Sequence, residues 1–379
     1  MKTEPKAEAS KSRREIFSNL FRTITKFLDQ LITPLVAVAV ALIIGAILML
    51  SIGINPIVSY QAMWAGIAAS KYQIGVTLTK ATPLILTGLG LGIAFRSGVF
   101  NIGGEGQIYI GALASTFIGI QNWGLPAPVH LTLSLLAGFI GGAVWGFIPG
   151  ILKARYKINE VITTILLNYI AIYLVSYFTH GPLRENQSAA AALPQTAEVM
   201  STSRLPLIWP GTRLHLGFIL ALLAAGVLYF IIFRTSFGFK ARAVGHSPTS
   251  ARYAGMNVVW IIVLVMIISG GLAGMAGSVE ILGVQRRLRD MFSSGTGYTA
   301  IAIALLGQNN PLGIVFAGIL FGALQAGANN MQALAGVPIT IVDAIQAVII
   351  FMVAISAELR TGFLRNNLFH PKKPVPQKE

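Results

Sequence analysis

Long apolar runs separated by short polar segments occupy most of the chain between residues 31 and 356. A helix of about 20 apolar residues is long enough to cross a bilayer. The pattern therefore predicts an all-α, polytopic membrane protein with about ten transmembrane helices in one domain at 31–356. The predicted spans are Leu31–Ile52, Ala81–Phe95, Gln107–Ile120, Val129–Leu152, Val161–Phe178, His215–Phe233, Val258–Gly277, Thr299–Leu306, Leu312–Gln325 and Pro338–Ile355.

The second, third and eighth spans are shorter than a full crossing requires. Helices of this length in lipid are tilted or broken, with their free backbone groups packed inside protein. The polar stretch Thr179–Leu214, rich in Ala, Ser and Pro, predicts one long external loop. Two terminal segments complete the predicted organisation, a basic one at 1–30 and a tail at 357–379, both cytoplasmic.

Basic residues set this orientation, because cytoplasmic loops collect Lys and Arg. One basic group, Lys153–Lys157, follows span four, and a second lies between spans six and seven. Both fall inside when the N-terminus is inside. Arg286–Arg289 contains three arginines and falls outside by the same count. Either a re-entrant piece lies there or the count is off by one.

The composition supports lipid as the main solvent, since 54% of residues are hydrophobic, 11% are charged and the mean hydropathy is +0.71. The net charge of +15 is explained by orientation and needs no nucleic-acid partner. No Cys is present, and the five His lack a metal-binding spacing. The chain also lacks a phosphate-binding P-loop, a nucleophile–base pair and any sign of a cofactor of its own, which argues against an enzyme. Its forty glycines predict close helix packing in lipid.

The segment Asn101–Gln107 is polar and rich in Gly between two apolar runs. Such a segment favours an unwound backbone, as in the discontinuous helices that form solute paths in transporters. Glu105 is costly near the membrane, and two roles remain open for it. It belongs to the solute path, or it caps the first turn of its own helix. We take Asn101, Glu105 and Gln107 as candidate path residues.

Two further spans carry polar residues at helical spacing. Thr164 and Asn168 share one face of span five, where Asn168 contacts either a partner helix or the solute. In span ten, Asp343 and Gln346 belong to a narrow polar stripe, in which we expect a buried carboxylate. A proton relay would use such an Asp. All four join the candidate path.

The inside loop from Arg234 to Val258 is longer than a simple turn needs. Gly245 and Pro248 divide it into two segments, and its alanines are small enough to dock closely into a groove. We therefore predict a pair of short helices that contact a partner. The alanines are Ala241, Ala243, Ala251 and Ala254.

Four stretches resemble the permeases of ABC importers for branched-chain amino acids, ribose and nucleosides. They read NIGGEGQIYIGALAS, NEVITTILLNYIA, FGFKARAVGHSPTSARYAGMN and IAIALLGQNNPLG and are spread across most of the chain. Within this family the chain is most similar to the larger of two paired permeases in nucleoside importers that use a basic-membrane-protein-type lipoprotein.

The resemblance implies two related halves, no catalysis in this subunit and a location in the bacterial plasma (inner) membrane. It implies four kinds of partner: an ABC ATPase that binds the ATP, a second homologous permease in a heterodimer, an extracytoplasmic solute-binding lipoprotein and a small solute. The loop would carry the helix that couples to the ATPase. The residues implied are Phe237, Gly238, Ala241, Arg242, Ala243, Gly245, Pro248, Ala251 and Gly255.

The sequence thus predicts an ABC permease for a nucleoside, with simple sugars or branched-chain amino acids as alternative solutes. An ion-coupled secondary carrier that uses Glu105 and Asp343 is the competing class. The long inside loop favours the ABC class, because a carrier has no obvious need for it.

Overall fold

The computed structural model describes residues 36, 38–185 and 193–361, with 353–361 described by their backbone alone. The chain divides into two compact units, one formed by residues 57–337 and the other by the segments before 57 and after 337. The predicted basic segment 1–30 and the tail beyond 361 lie outside the described residues. The predicted domain boundaries therefore stay predictions.

Every long element within the described ranges is a helix, and six helices are long and apolar enough to span a membrane. These six are α3, α5, α6, α7, α10 and α12, while α1, α11 and α13 contribute shorter apolar stretches. The predicted all-α membrane class is confirmed, and the count of about ten spans stays a prediction. The helices are α1 (Val38–Ser51), α2 (Pro56–Ala68), α3 (Lys71–Arg96), α4 (Gly104–Gly119), α5 (Ala127–Tyr156), α6 (Glu160–His180), α7 (Gly217–Arg234), α8 (Ser236–His246), α9 (Pro248–Tyr253), α10 (Val258–Glu280), α11 (Thr296–Leu306), α12 (Pro311–Ala335) and α13 (Ile339–Thr361).

The predicted short length of the second span was wrong. Helix α3 has 26 residues and begins at Lys71, where the Ser70 side chain accepts a hydrogen bond from the Gln73 N–H and caps the helix. Its first ten residues are too polar to be recognised as part of a membrane span by hydropathy, so the predicted span began only at Ala81. Gly75, Thr77 and other residues of this polar part are nevertheless buried. The third and eighth spans are short, as predicted, because α4 has 16 residues and α11 has 11.

Helices α3–α6 and α10–α13 repeat one order of lengths, which is long, short, long, long. The first helices of the two sets run in opposite directions. Helix α3 ends beside α8, where Gly98 packs on Gly245, whereas α10 begins soon after α9 and ends near residues 195–205. Helices α4 and α11 start together, at Glu105 and Gly297, and run apart. Helices α3 and α10 are therefore antiparallel, and the predicted relation between two halves stays a prediction.

Glycines allow three helices of this bundle to touch. Gly274 of α10 lies against the backbone of Gly138 and Gly142 on α5, and it faces Gly111 on α4. A Cβ at Gly111, Gly142 or Gly274 would overlap neighbouring backbone, and a Cβ at Gly138 would overlap the Ser278 hydroxyl of α10. The predicted role of the glycines in close packing is confirmed at this crossing.

The segments 181–185 and 193–216 lie at one end of the bundle, which we call the long-loop end; α8 and α9 mark the opposite, short-helix end. Arg287 follows α10 and forms an ion pair with Glu185 of the long loop, with Glu198 at 3.9 Å. The arginines that break the positive-inside pattern therefore lie at the long-loop end, where acidic side chains balance Arg287. Whether a re-entrant piece lies there or the count of spans is off by one stays a prediction.

His215 connects this loop to α7, two residues before the helix begins. Its side chain is fully buried, and its Nδ1 accepts a hydrogen bond of 3.2 Å from the Gly217 N–H. Its Nε2 has no hydrogen-bond partner among the described residues. Burial lowers the pKa of His215 to about 4, since a charged imidazolium would be poorly solvated there.

Candidate functional site

The predicted unwound segment lies between the end of α3 and the start of α4. Three side chains on one face of α6 bind its backbone N–H groups: Glu160 accepts from Phe100 at 3.5 Å, Thr164 from Ile102 at 3.3 Å and Asn168 from Gly106 at 2.8 Å. The Asn168 amide also donates to the Ile102 carbonyl at 3.0 Å. The three side chains are spaced i, i+4 and i+8, so they lie on one face of α6. They accept hydrogen bonds from backbone N–H groups that have no helical partner where the helix is broken.

A second set of hydrogen bonds, made by the Asn101 side chain, connects this segment to α4 and α10. The Asn101 side chain accepts from the Gly103 N–H at 2.8 Å and donates to Gln107 at 3.1 Å and to Ser269 of α10 at 2.9 Å. A Cβ at Gly103 would lie 2.9 Å from the Asn101 Oδ1, so only glycine fits without displacing the network. Asn101 and Gln107 are buried, and their observed bonds hold α10 to the break.

Glu105 joins the two broken helices. Its carboxylate accepts hydrogen bonds from the N–H groups of Gly297 at 2.6 Å and Gly295 at 3.3 Å, at the start of α11. The carboxylate therefore caps the positive end of a different helix from its own. Only 2% of the Glu105 surface is exposed.

The predicted path residues are thus separated into two groups. Asn101, Glu105, Gln107, Thr164 and Asn168 form the joint just described, and their contact with a solute stays a prediction. Asp343 and Gln346 belong to the other unit of the chain. Gln346 is buried, but Asp343 is exposed, so the expectation of a buried carboxylate on α13 was wrong in the described structure.

A cavity of about 430 Å³ lies on the long-loop side of this joint. Helices α3, α10 and α12 supply most of its wall, with the segment 292–296 and Ile108 of α4 nearby. This volume lies within the range of about 300–1,000 Å³ that is usual for small-molecule sites. Its polar wall residues include Gln73, Lys80, Glu280, Gln325, Asn329 and Asn330.

These cavity residues were missed by the sequence reasoning, although a signal was present. Gln325, Asn329 and Asn330 lie within two turns of an apolar helix, but the hydropathy pattern treated Gln325 as the end of the span. The cavity wall also contains the aromatic rings of Tyr72 and Phe292. In the part of the chain that the structure describes, no cluster of three or more His, Asp or Glu could hold a metal ion.

The predicted pair of short helices is confirmed as α8 and α9. Several small residues of the pair face inward, contrary to the expectation that they form the docking face, whereas Ala254 is exposed as that expectation requires. Gly238, Ala241 and Ala251 are buried, and a Cβ at Gly245 would collide with the carbonyl of Arg96. Ala243 is half-buried.

Other residues of this pair face outward. Tyr253 is 89% exposed, and Phe239 is 58% exposed. Pro248 and Gly255 are exposed as well, whereas Phe237 is half-buried. Arg242 is half-buried, and its guanidinium lies 5.4 Å from the centre of the Phe233 ring on α7. The Arg96 guanidinium lies 4.7 Å from the same centre. These two cation–π contacts hold α8 against α3 and α7. The outward aromatic pair makes the short-helix end a candidate docking surface.

Residues 73–354 match the family described as the branched-chain amino acid transport system permease component. The guanosine ABC transporter permease protein NupP of Bacillus subtilis is 42% identical over 339 residues, which are 89% of this chain and 97% of that protein. The glucose ABC transporter permease protein TsgB13 of Haloferax volcanii is 35% identical and covers 86% of this chain and 87% of its own length.

A third relative is the nucleoside ABC transporter permease protein NupB of Lactococcus lactis, 35% identical over 86% of this chain and 91% of its own length. The family match includes the joint, both short helices and the whole cavity wall except Tyr72. The chain therefore belongs to the family of branched-chain amino acid transport system permease components.

Proposed function

We propose that this chain is the membrane-spanning permease subunit of an ATP-driven importer that carries a nucleoside. The proposal rests on the 42% identity to a guanosine permease protein over nearly the full length of both chains. A second relative named for nucleosides supports the same solute class. The relative named for glucose makes a sugar the second candidate solute.

The cavity chemistry supports a neutral, polar solute. Its wall offers carboxamides, aromatic rings and three charged side chains, Lys80, Arg213 and Glu280, so the net charge of the wall is small. Lys80 and Glu280 are near enough to interact electrostatically. A strongly charged solute would need a surplus of opposite charge in a membrane path. A nucleoside has polar edges without a net charge, and it fits this wall.

The ATPase would dock at the short-helix end, where Tyr253 and Phe239 project from α8 and α9. The short-helix end and both termini would then be cytoplasmic, and the long-loop end would face the solute-binding lipoprotein. The more distant guanosine permease protein NupQ of Bacillus subtilis, 29% identical, supports a second permease as the partner subunit.

The test is solute uptake into proteoliposomes that hold the chain with its ATPase, second permease and lipoprotein. We expect ATP-dependent uptake of labelled guanosine that an excess of unlabelled uridine or adenosine reduces more than glucose or leucine does. Uptake of glucose in preference to every nucleoside would favour the sugar importer.

The same vesicles separate the energy sources. Vanadate should stop uptake and a protonophore should not, because an ABC importer uses ATP hydrolysis and an ion-coupled carrier uses a gradient. The chain purified without its partners should hydrolyse no ATP, since it lacks a phosphate-binding loop. Uptake that needs a gradient and no ATP would refute the ABC assignment.

A further inference from the structure

Three carboxamide side chains line the cavity without a hydrogen-bond partner in the described chain. Gln73 belongs to α3, and Gln325 and Asn329 belong to α12, four residues apart on one face. The neighbouring Asn330 differs, because its amide donates to the Ala62 carbonyl at 2.7 Å and fixes α2. Gln73 and Gln325 are half-buried and Asn329 is exposed, so all three present free donors and acceptors to water or to a solute in the cavity.

The helix packing shows how the three are arranged. Gly322 of α12 packs directly on Ala81 of α3, and the two helices are antiparallel. At 1.5 Å per residue, Asn329 lies about 10 Å from that crossing and Gln73 about 12 Å from it, in the same direction. Gln325 lies about 4 to 5 Å from the crossing. Gln73 and Asn329 therefore share one level, and Gln325 lies below them.

The charged residues form the floor of this arrangement. Gly90 of α3 packs on the carbonyl of Ser269 on α10, and these helices are also antiparallel. Lys80 lies ten residues before Gly90 and Glu280 eleven residues after Ser269, so both are about 15 to 16 Å from the crossing. Arg213, whose carbonyl accepts a hydrogen bond from Thr79, also lines the cavity, so the charged wall has two cations and one anion. The carboxamides of Gln73 and Asn329 lie above Lys80 and Glu280, toward the long-loop end.

On the basis of the function proposed above, we propose that Gln73, Gln325 and Asn329 bind the hydrogen-bonding edge of the nucleobase. A carboxamide presents a donor and an acceptor side by side, which is the pattern that base edges present in return. The ring of Phe292 lines the same cavity and offers a stacking surface for the base. The permease then selects among the solutes that its binding protein delivers.

The experiment compares two complete complexes, the wild type and a double variant that carries both Gln325→Leu and Asn329→Leu. Two quantities are measured: equilibrium binding of guanosine without the lipoprotein, and the ratio of guanosine to uridine uptake with it. We expect guanosine binding to weaken about tenfold or more, because a good amide–base pair contributes about 1–3 kcal/mol. The uptake ratio should change in the same complex, and co-purification of all subunits checks that the complex still assembles.

The matched control is Gln121→Leu, which removes a carboxamide outside the cavity wall, where the side chain bonds only the Phe117 carbonyl in the described structure. It should leave both measurements unchanged. The conservative change Asn329→Gln, combined with wild-type Gln325, keeps a carboxamide and should retain most guanosine binding.

The outcomes separate this inference from the proposed function. A wild-type complex that carries no nucleoside contradicts the proposed function itself. A wild-type complex that carries guanosine, with a double variant that binds it equally well and keeps the uptake ratio, overturns the inference. Ribose that competes with guanosine for the wild-type cavity as strongly as guanosine itself also overturns the assignment to the base edge.

Discussion

Replacing Glu105 tests whether its carboxylate holds the two broken helices together. In Glu105→Leu the side chain keeps a similar volume but loses both acceptor oxygens. The N–H groups of Gly295 and Gly297 then lose their hydrogen bonds at the start of α11, in a region where Gly297 is fully packed. The positive end of the helix also loses its counter-charge.

The expected magnitude follows from these two bonds. A buried N–H left without an acceptor costs about 1–3 kcal/mol, so two cost about 2–6 kcal/mol of unfolding free energy. Gly295 is only half-buried and its bond is long at 3.3 Å, so its N–H can turn to water and the expectation lies in the lower half of that range. Glu105→Gln keeps one acceptor for Gly297 but loses the charge, and it should cost about 1–3 kcal/mol.

The assay is unfolding in mixed micelles by SDS titration, followed by the fluorescence of the five Trp residues. Glu198→Gln is the control, because it removes an acid from partly exposed ion pairs with Arg204 and Arg287 and should cost about 0–1 kcal/mol. The expected order of stability is wild type, Glu105→Gln, then Glu105→Leu. Equal midpoints for wild type and Glu105→Leu would refute the capping role.

Three further predictions concern other parts of the chain. Tyr253→Ala should leave the permease folded but weaken its affinity for the ATPase about 30-fold, as expected for a hot spot of about 2 kcal/mol, and co-purification of the two subunits measures this. Gly245→Glu should instead destabilise the permease itself, because a Cβ at this position collides with the Arg96 carbonyl. Retained ATPase with Tyr253→Ala would place the docking surface elsewhere. Between the ordinary His pKa of about 6.5 and the buried value of about 4, the unfolded chain binds a proton that folded His215 does not, so stability should fall as the pH falls. His215→Asn should remove that part of the pH dependence of the SDS midpoint. Gly274→Ala should cost about 1–3 kcal/mol or more, because its methyl group meets the α5 backbone; an unchanged midpoint would contradict the close crossing.

The sequence was sufficient where a local pattern determines the outcome. Long apolar runs predicted α5, α6, α7 and α10, because each must satisfy its own backbone hydrogen bonds in lipid. Gly245 and Pro248 indicated two short helices, and the structure has them at α8 and α9. The Gly-rich segment after α3 predicted a break, and α4 is short and begins at Gly104.

The sequence was insufficient where a residue's partner lies far along the chain. Glu105 stands in the first turn of α4, but the carboxylate caps α11, which begins at residue 296. Thr164 and Asn168 face the unwound backbone, and Ala241 faces inward. Each of these depends on which helices touch.

The sequence by itself thus determined the membrane class, the main spans, the break before α4 and the two short helices, because hydropathy and glycine content act over a few neighbouring residues. Only the tertiary structure determined the cavity, because Gln73 and Gln325 are more than two hundred residues apart and meet only through the crossing of Gly322 with Ala81. The antiparallel packing of α3 against α10 and α12 places their polar turns at neighbouring levels. No periodicity within one helix carries that information.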